Sequence, residues 1–302
     1  MPNRPSPIRS RAGSPPSRPR QPREPGHAEA PLKLTRRGML TFGVLGAATV
    51  LGAGTAVLGG GDTAVPVTMT PEVHASPVAV ESTELQTHTK VGGAAYVYEV
   101  DGQPTAYYVT TAFRTRLERW YATHLKETGQ RPDEVRSFGA WTPGAEGSWH
   151  GSGEAFDVAR LRAKGKDLVS ARYDKWRDDT AAEVRTRLRL YWQLAAGLHL
   201  EFADVVTYLY DSNHSNHIHV DTGRFGPTGA PRLIPRSEVQ VQAVQAMCRH
   251  VWGRAGVEIT GHLDTATRDA TAKVIADHGG QHAIDDGVEG WRAFLLPTLR
   301  AA

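Results

Sequence analysis

Ser148-Trp149-His150-Gly151-Ser152-Gly153-Glu154-Ala155-Phe156-Asp157 is the stretch around which the rest of the chain can be read. It offers an imidazole at His150 and, seven residues later, a carboxylate at Asp157. Gly151 and Gly153 allow a sharp turn after His150, because glycine takes positive φ without a steric penalty. Ala155 to Ala159 reads as a short buried strand that carries Asp157 back towards His150.

A second stretch, His214-Ser215-Asn216-His217-Ile218-His219-Val220-Asp221, holds three imidazoles within six residues. Asn216 to Asp221 alternates as a strand. A period of two puts His217, His219 and Asp221 on one face and Ile218 and Val220 on the other. Plain packing does not call for such a face. Imidazoles with a carboxylate suit a borderline-soft divalent cation such as zinc, which keeps an open position in catalytic sites. His150, Asp157 and one histidine of the second stretch supply three ligands of that kind. The chain has thirteen histidines, so a single one carries little weight; the spacing of the set carries the reading.

The pattern Ser-x-His-x-x-Gly-x-Ala-x-Asp is matched at Ser148, His150, Gly153, Ala155 and Asp157, and a His-x-His follows at His217 and His219. This resembles the zinc peptidase fold shared by D-Ala-D-Ala carboxypeptidases, murein endopeptidases and the hedgehog signalling domain. Within it the chain is most similar to the extensin-like C-terminal family of bacterial proteins, over roughly Phe113 to Gly223. The resemblance implies zinc held by His150, Asp157 and His219. In many relatives a Glu or Asp three residues before the last histidine ligand acts as the base. That position is Asn216 here, which cannot accept a proton, so His214 and His217 are the expected substitutes for base and oxyanion stabiliser. Ser148 and Asp221 are expected to orient ligands, and Arg136 to meet a substrate carboxylate. The implied activity is hydrolysis of peptidoglycan cross-bridges or stem peptides outside the cytoplasmic membrane. The alternative is a cell-wall-binding protein whose metal site is structural or vestigial. Asn216 keeps it open, as do the hedgehog-like relatives, since fold alone does not establish hydrolysis.

Residues 1–33 form a Pro/Arg-rich arm; residues 1–31 hold nine of the nineteen prolines, six arginines and no aromatic. Such a segment buries too little apolar surface to offset its ordering entropy and is expected to be disordered. Arg36-Arg37 then precedes an uncharged run of 24 residues, Gly38 to Gly61. Residues 34–61 thus resemble a twin-arginine export signal, read by an export translocase through Arg36 and Arg37. The run is also long enough to stay as a transmembrane helix, with the basic arm in the cytoplasm. Either way the rest of the chain is extracytoplasmic, secreted or anchored by residues 38–61.

Residues 1–61 carry a net charge of +7 against +3 for the whole chain, which leaves −4 for the remainder. The folded part therefore has no electrostatic case for binding nucleic acid. The lone cysteine, Cys248, excludes an internal disulfide. It sits among Val244, Met247 and Val251 at helical spacing and reads as a buried apolar residue.

Residues 62–87 read as a linker. Ala95–Val100 and Pro104–Thr111 alternate around Asp101-Gly102, a hairpin signal. Arg114–Thr128 reads as a helix with Leu117, Trp120, Tyr121 and Leu125 along one stripe. Glu134–Phe138 reads as a strand feeding the motif loop. Thr180-x-x-Glu183 opens another helix as a capping box, with Gly197 as its expected end. Val205–Tyr210 reads as a strand. These elements make an α+β domain over residues 88–230, a small, mostly antiparallel sheet with helices on one face. Residues 231–302 read as three helices, at about 238–253, 265–278 and 287–299, the first opened by a second capping box at Ser237. The turn Gly261–Thr267 is similar to that of small peptidoglycan-binding modules. The alternative is a helical extension packed on the preceding domain.

Overall fold

The computed structural model describes residues 77–301. The basic arm, Arg36 and Arg37, the segment 34–61 and linker residues 62–76 lie outside the described residues. Among the described residues no helix is long and apolar enough to cross a membrane.

A 3-10 turn, Ser82–Glu84, leads into strands β1 (Gln86–His88), β2 (Lys90–Val91), β3 (Ala94–Tyr98) and β4 (Tyr107–Val109). Helix α1 (Thr111–Thr128) follows, then β5 (Glu134–Gly139), β6 (Ala155–Ala163) and β7 (Lys166–Ser170). After the short α2 (Tyr173–Trp176) come α3 (Ala181–His199), β8 (Asp204–Val206) and β9 (Ile218–Asp221). The chain ends in α4 (Glu238–His250), α5 (Thr265–Asp277) and α6 (Gly287–Arg300). The fold is α+β with a mixed sheet ordered β2-β3-β5-β6-β9-β8, and β7 added to β6. Every pair in this sheet is antiparallel except β3–β5, whose connection passes through α1. A parallel pair needs such a crossover.

β6 organises the sheet. One flank takes β5. The other is divided along its length, with β9 against Ala155–Val158 and β7 against Arg160–Ala163. Its apolar residues Phe156, Val158 and Leu161 are fully buried. The layer beneath comes from α1 and α3. Phe113, Leu117 and Trp120 face inward from α1; Tyr191, Trp192, Leu194 and Leu198 do so from α3. Local chemistry bounds both helices. The Thr110 hydroxyl accepts from Phe113 N at 3.2 Å, Gly129 closes α1 at φ 67°, and Thr180 with Glu183 forms the expected capping box on α3.

The structure departs from the sequence reading at several points. The segment read as linker up to residue 87 is partly built into the fold: β1 pairs with β4, and Val80 N donates to Gly151 O at 3.0 Å. The hairpin expected around Asp101-Gly102 starts, with Tyr98 N donating to Gln103 O at 2.9 Å, but its second strand leaves the sheet. Tyr107 is the reason. It is buried against Tyr96 and Phe156, with ring centroids 4.6 and 5.7 Å away, and its hydroxyl donates to Lys90 O at 2.9 Å. Gly197 does not end α3, which runs on to His199. A Cβ there would stand 3.3 Å from Leu299 Cδ1, so the glycine lets α6 approach closely.

The three C-terminal helices lie in the same compact unit as the sheet. Val244, Met247, Cys248, Trp291, Phe294, Leu295 and Leu299 join the buried cluster that contains Trp120 and Trp192. Cys248 is buried, as its spacing indicated, and burial pushes its thiol up to about 12. Ser237 makes no side-chain cap on α4. Gln240, the expected reciprocal partner three residues on, turns inward instead: its Oε1 accepts from Ile234 N at 2.7 Å and its Nε2 donates to Ala203 O at 3.2 Å. Asp264 caps α5, accepting from Thr267 N at 2.8 Å.

Candidate metal centre

Asp157 and His219 are direct partners across the β6–β9 ladder. Paired residues point to the same face of a sheet, so backbone register alone brings the carboxylate to the imidazole. Asp157 Oδ1 lies 2.9 Å from His219 Nδ1.

His150 arrives from the turn before β6. That turn is tied by Gly151 N to Ser148 O at 2.9 Å, Gly153 N to His150 O at 3.2 Å, and Thr142 N to His150 O at 3.1 Å. Both glycines are required, for different reasons. Gly153 has φ 71°, as the sequence suggested. Gly151 is needed for space: a Cβ there would lie 2.0 Å from Ala145 O. The Ser148 hydroxyl accepts from His150 N at 3.2 Å, so it orients the backbone of the ligand residue rather than its ring.

The ring tautomers follow from the outer partners. His150 Nδ1 faces Ala140 O, an acceptor, and so carries the hydrogen; Nε2 keeps its lone pair. His219 Nε2 faces Asp221 Oδ2 at 3.0 Å, so in the neutral ring Nδ1 keeps its lone pair. Asp221 thereby stands where it contacts the outer nitrogen of that ring. His150 Nε2 lies 3.2 Å from Asp157 Oδ1 and 3.2 Å from His219 Nδ1. With His219 neutral, three lone-pair atoms thus converge with no hydrogen between them. Ligand atoms around a tetrahedral zinc with bonds of 2.0–2.1 Å stand about 3.3 Å apart. The donor set therefore fits a small divalent cation, in both spacing and lack of donors. It joins the residues expected from the sequence, and His150, Asp157 and His219 form the one such group among the described residues.

Without a cation, the His219 ring carries a second proton. Burial disfavours charge on His219, but the carboxylates of Asp157 and Asp221 outweigh it and raise its pKa to about 10. Burial would raise Asp157, yet the neighbouring His150 and His219 hold it well below the usual carboxylate range. A proton and a cation compete for the same atoms, so cation binding releases a proton and weakens as the pH falls.

The other two histidines of the second stretch lie next to this group. His217 Nδ1 lies 2.5 Å from Asn216 Oδ1, so it carries the hydrogen and Nε2 presents a lone pair 3.4 Å from Asp157 Oδ1. Burial lowers His217 to about 4; Asp157 opposes the shift and the neighbouring histidines reinforce it. His214 lies in the 3-10 turn Ser212–Asn216, which replaces the start of the expected strand. Its Nδ1 is 2.7 Å from Asp211 Oδ1, and its ring centroid is 5.2 Å from that of His217 and 6.1 Å from that of His219. Arg136 is not brought to the site. It sits three residues before Gly139, the partner of Asp157, and is held by Glu134 at 2.9 Å.

Three groups escaped the sequence reading. The Ala140 carbonyl is backbone and leaves no mark in the sequence. Asp211 was readable as a cap, because its carboxylate also accepts from Asn213 N and His214 N at 2.9 and 3.1 Å. Asn216, dismissed as a base, turns out to orient His217. No family model, no curated protein and no solved structure matches the chain.

Proposed function

We propose that the chain is an exported or membrane-anchored zinc-dependent peptidase, carboxypeptidase or endopeptidase, acting on peptidoglycan peptides. The observation that carries the reading is the acceptor-only triangle of His150 Nε2, Asp157 Oδ1 and His219 Nδ1. The Ser148–Asp157 pattern, which resembles zinc D-Ala-D-Ala carboxypeptidases, supports it. When bound there, zinc would polarise a scissile carbonyl and acidify a water molecule.

The chain's own residues supply the remaining parts. His214, fixed through Nδ1 by Asp211, keeps Nε2 free to take a proton, the arrangement of a base held by a third group. His217 holds a second lone pair at the mouth of the site. The two imidazoles share acceptance of the proton and its return to the leaving amine. The Asp221 carboxylate keeps the His219 ring in place throughout. Export runs through Arg36 and Arg37; replacing both by Lys is expected to leave the chain in the cytoplasm, and unchanged export would discard that route.

One observation favours a second reading. The position that bears a carboxylate in many relatives carries Asn216, and that amide is engaged in fixing a ring. A cell-wall-binding protein with a structural metal would tolerate this. The deciding experiment is metal analysis of the full chain, followed by digestion of purified murein with mass spectrometry of the products. Near-stoichiometric zinc with new peptide termini supports the peptidase. Zinc without cleavage supports the binding protein. Absence of zinc removes the peptidase and leaves a wall-binding protein with a vestigial site.

A further inference from the structure

A trough of about 440 Å³ opens beside the metal centre, between the turn after β3 and the end of β5. Tyr98, Tyr108, Phe138 and Trp141 line it, and so does Asp101. Its lining contains no Lys, Arg or His. Phe138 joins it to the site, since its ring centroid is 6.0 Å from that of His217. Ala140, whose carbonyl fixes His150, is also part of the wall.

The walls are held in place. Trp141 Nε1 donates to Val80 O at 3.2 Å, and Trp141 leans on Tyr108 with centroids 5.7 Å apart. Asp101 uses Oδ1 to accept from Gln103 N at 2.9 Å, and its carboxylate is on an exposed turn. Neighbouring cations are accounted for. Arg172 lies over Phe138 at 5.2 Å but is neutralised by Glu99 at 2.6 Å and Asp174 at 2.8 Å. Arg136, beside Gly102, is held by Glu134 at 2.9 Å.

Aromatic faces and a carboxylate, with no competing cation in the lining, attract a positive group with an apolar stem. We propose that this trough binds an alkylammonium side chain of the peptide presented to the metal centre. The proposal rests on the peptidase reading of that centre. Asp101 follows β3, and Asp157 lies on β6, two strand spacings away across β5, or about 10 Å. An extended peptide covers about 3.3–3.6 Å per residue. The ammonium therefore belongs to a residue roughly three positions from the bond at His150, Asp157 and His219.

The test is binding of two blocked peptides to the full chain, Ac-Ala-Lys-Ala-amide and its norleucine isostere, by calorimetry at low salt with and without added zinc. The lysine peptide is expected to bind about tenfold more tightly, the scale of one cation–π contact plus a partly exposed ion pair. Asp101→Asn keeps the acceptor for Gln103 N and so keeps the turn; it is expected to lose most of the preference. Trp141→Leu is expected to reduce it as well. Equal binding of the two peptides overturns the proposal, and so does a preference unchanged in both variants. A lysine preference in a chain that cleaves nothing would sink the peptidase reading and leave the ammonium site standing.

Discussion

His219 and Asp221, two residues apart on β9, are joined by a contact of 3.0 Å between Nε2 and Oδ2. The strand's period of two puts both on one face, so the carboxylate needs no other support to hold the ring. This contact aims the His219 Nδ1 lone pair at Asp157.

Asp221→Ala is therefore expected to lower zinc affinity by about 10- to 100-fold, the usual scale for losing such an outer partner. Asp221→Asn keeps an acceptor and should fall between the two. Competition titration with a chelating dye reads both. Unchanged affinity in the alanine variant would show that His219 is oriented by something else.

His214→Ala and His217→Ala should retain zinc, because neither belongs to the three-atom set. At least one is expected to lose about two orders of magnitude or more in kcat/KM on a murein-derived peptide. Asn216→Ala should cost far less, since it frees the His217 ring without removing it. If both histidine variants keep full activity while the asparagine variant is dead, the assignment fails.

Gly151→Ala tests the turn. A Cβ 2.0 Å from a backbone oxygen forces the loop to move. A destabilisation of roughly 1–3 kcal/mol is expected, as for an overpacked site, together with weaker zinc binding. A variant with wild-type Tm and wild-type affinity would mean the loop adapts without disturbing His150.

Two buried histidines make the fold acid-sensitive. Burial lowers His124 to about 4, opposed by Gln130, and His199 to about 3. The unfolded chain takes up these protons near pH 6.5, while the folded chain does not until its lower pKa is reached. Stability is thus fully present above about pH 6.5 and declines as the pH falls towards 4, by about 1.4 kcal/mol per pH unit for each group. Urea unfolding at pH 7 and pH 5 measures the slope. His199→Leu should flatten it by about one proton; an identical slope would rule His199 out as a contributor.

Much of this could be read from the sequence. The grouping of His150, Asp157 and His219 was legible because one period-two strand and one glycine turn place chemistry at fixed offsets. His150, Asp157, His219 and Asp221 all fall where those rules put them. What stayed hidden depends on tertiary partners. The fate of Tyr107 was decided by Tyr96, Phe156 and the Lys90 carbonyl. Gly197 looked like a stop signal, and packing against Leu299 made it a contact point. Gln240 had the spacing of a cap and was recruited inward by Ala203. Arg136 was assigned to substrate on its position before the loop, but local pairing with Glu134 holds it elsewhere.

The placement of α6 bears on how the protein is made. Trp291 Nε1 donates to His199 O at 3.2 Å, and Leu299 lies against Gly197, so the last helix closes the core that supports β6. A ribosome adding about 5–20 residues per second needs roughly 7–27 s to pass from the end of β6 to the end of α6. Through that interval β6, and β9 once it is made, exist without their final support, and the emerging chain shows apolar surface. Completion of the core thus waits until α6 has emerged, and a chaperone that shields α3 until residue 300 has emerged would raise the yield of folded protein.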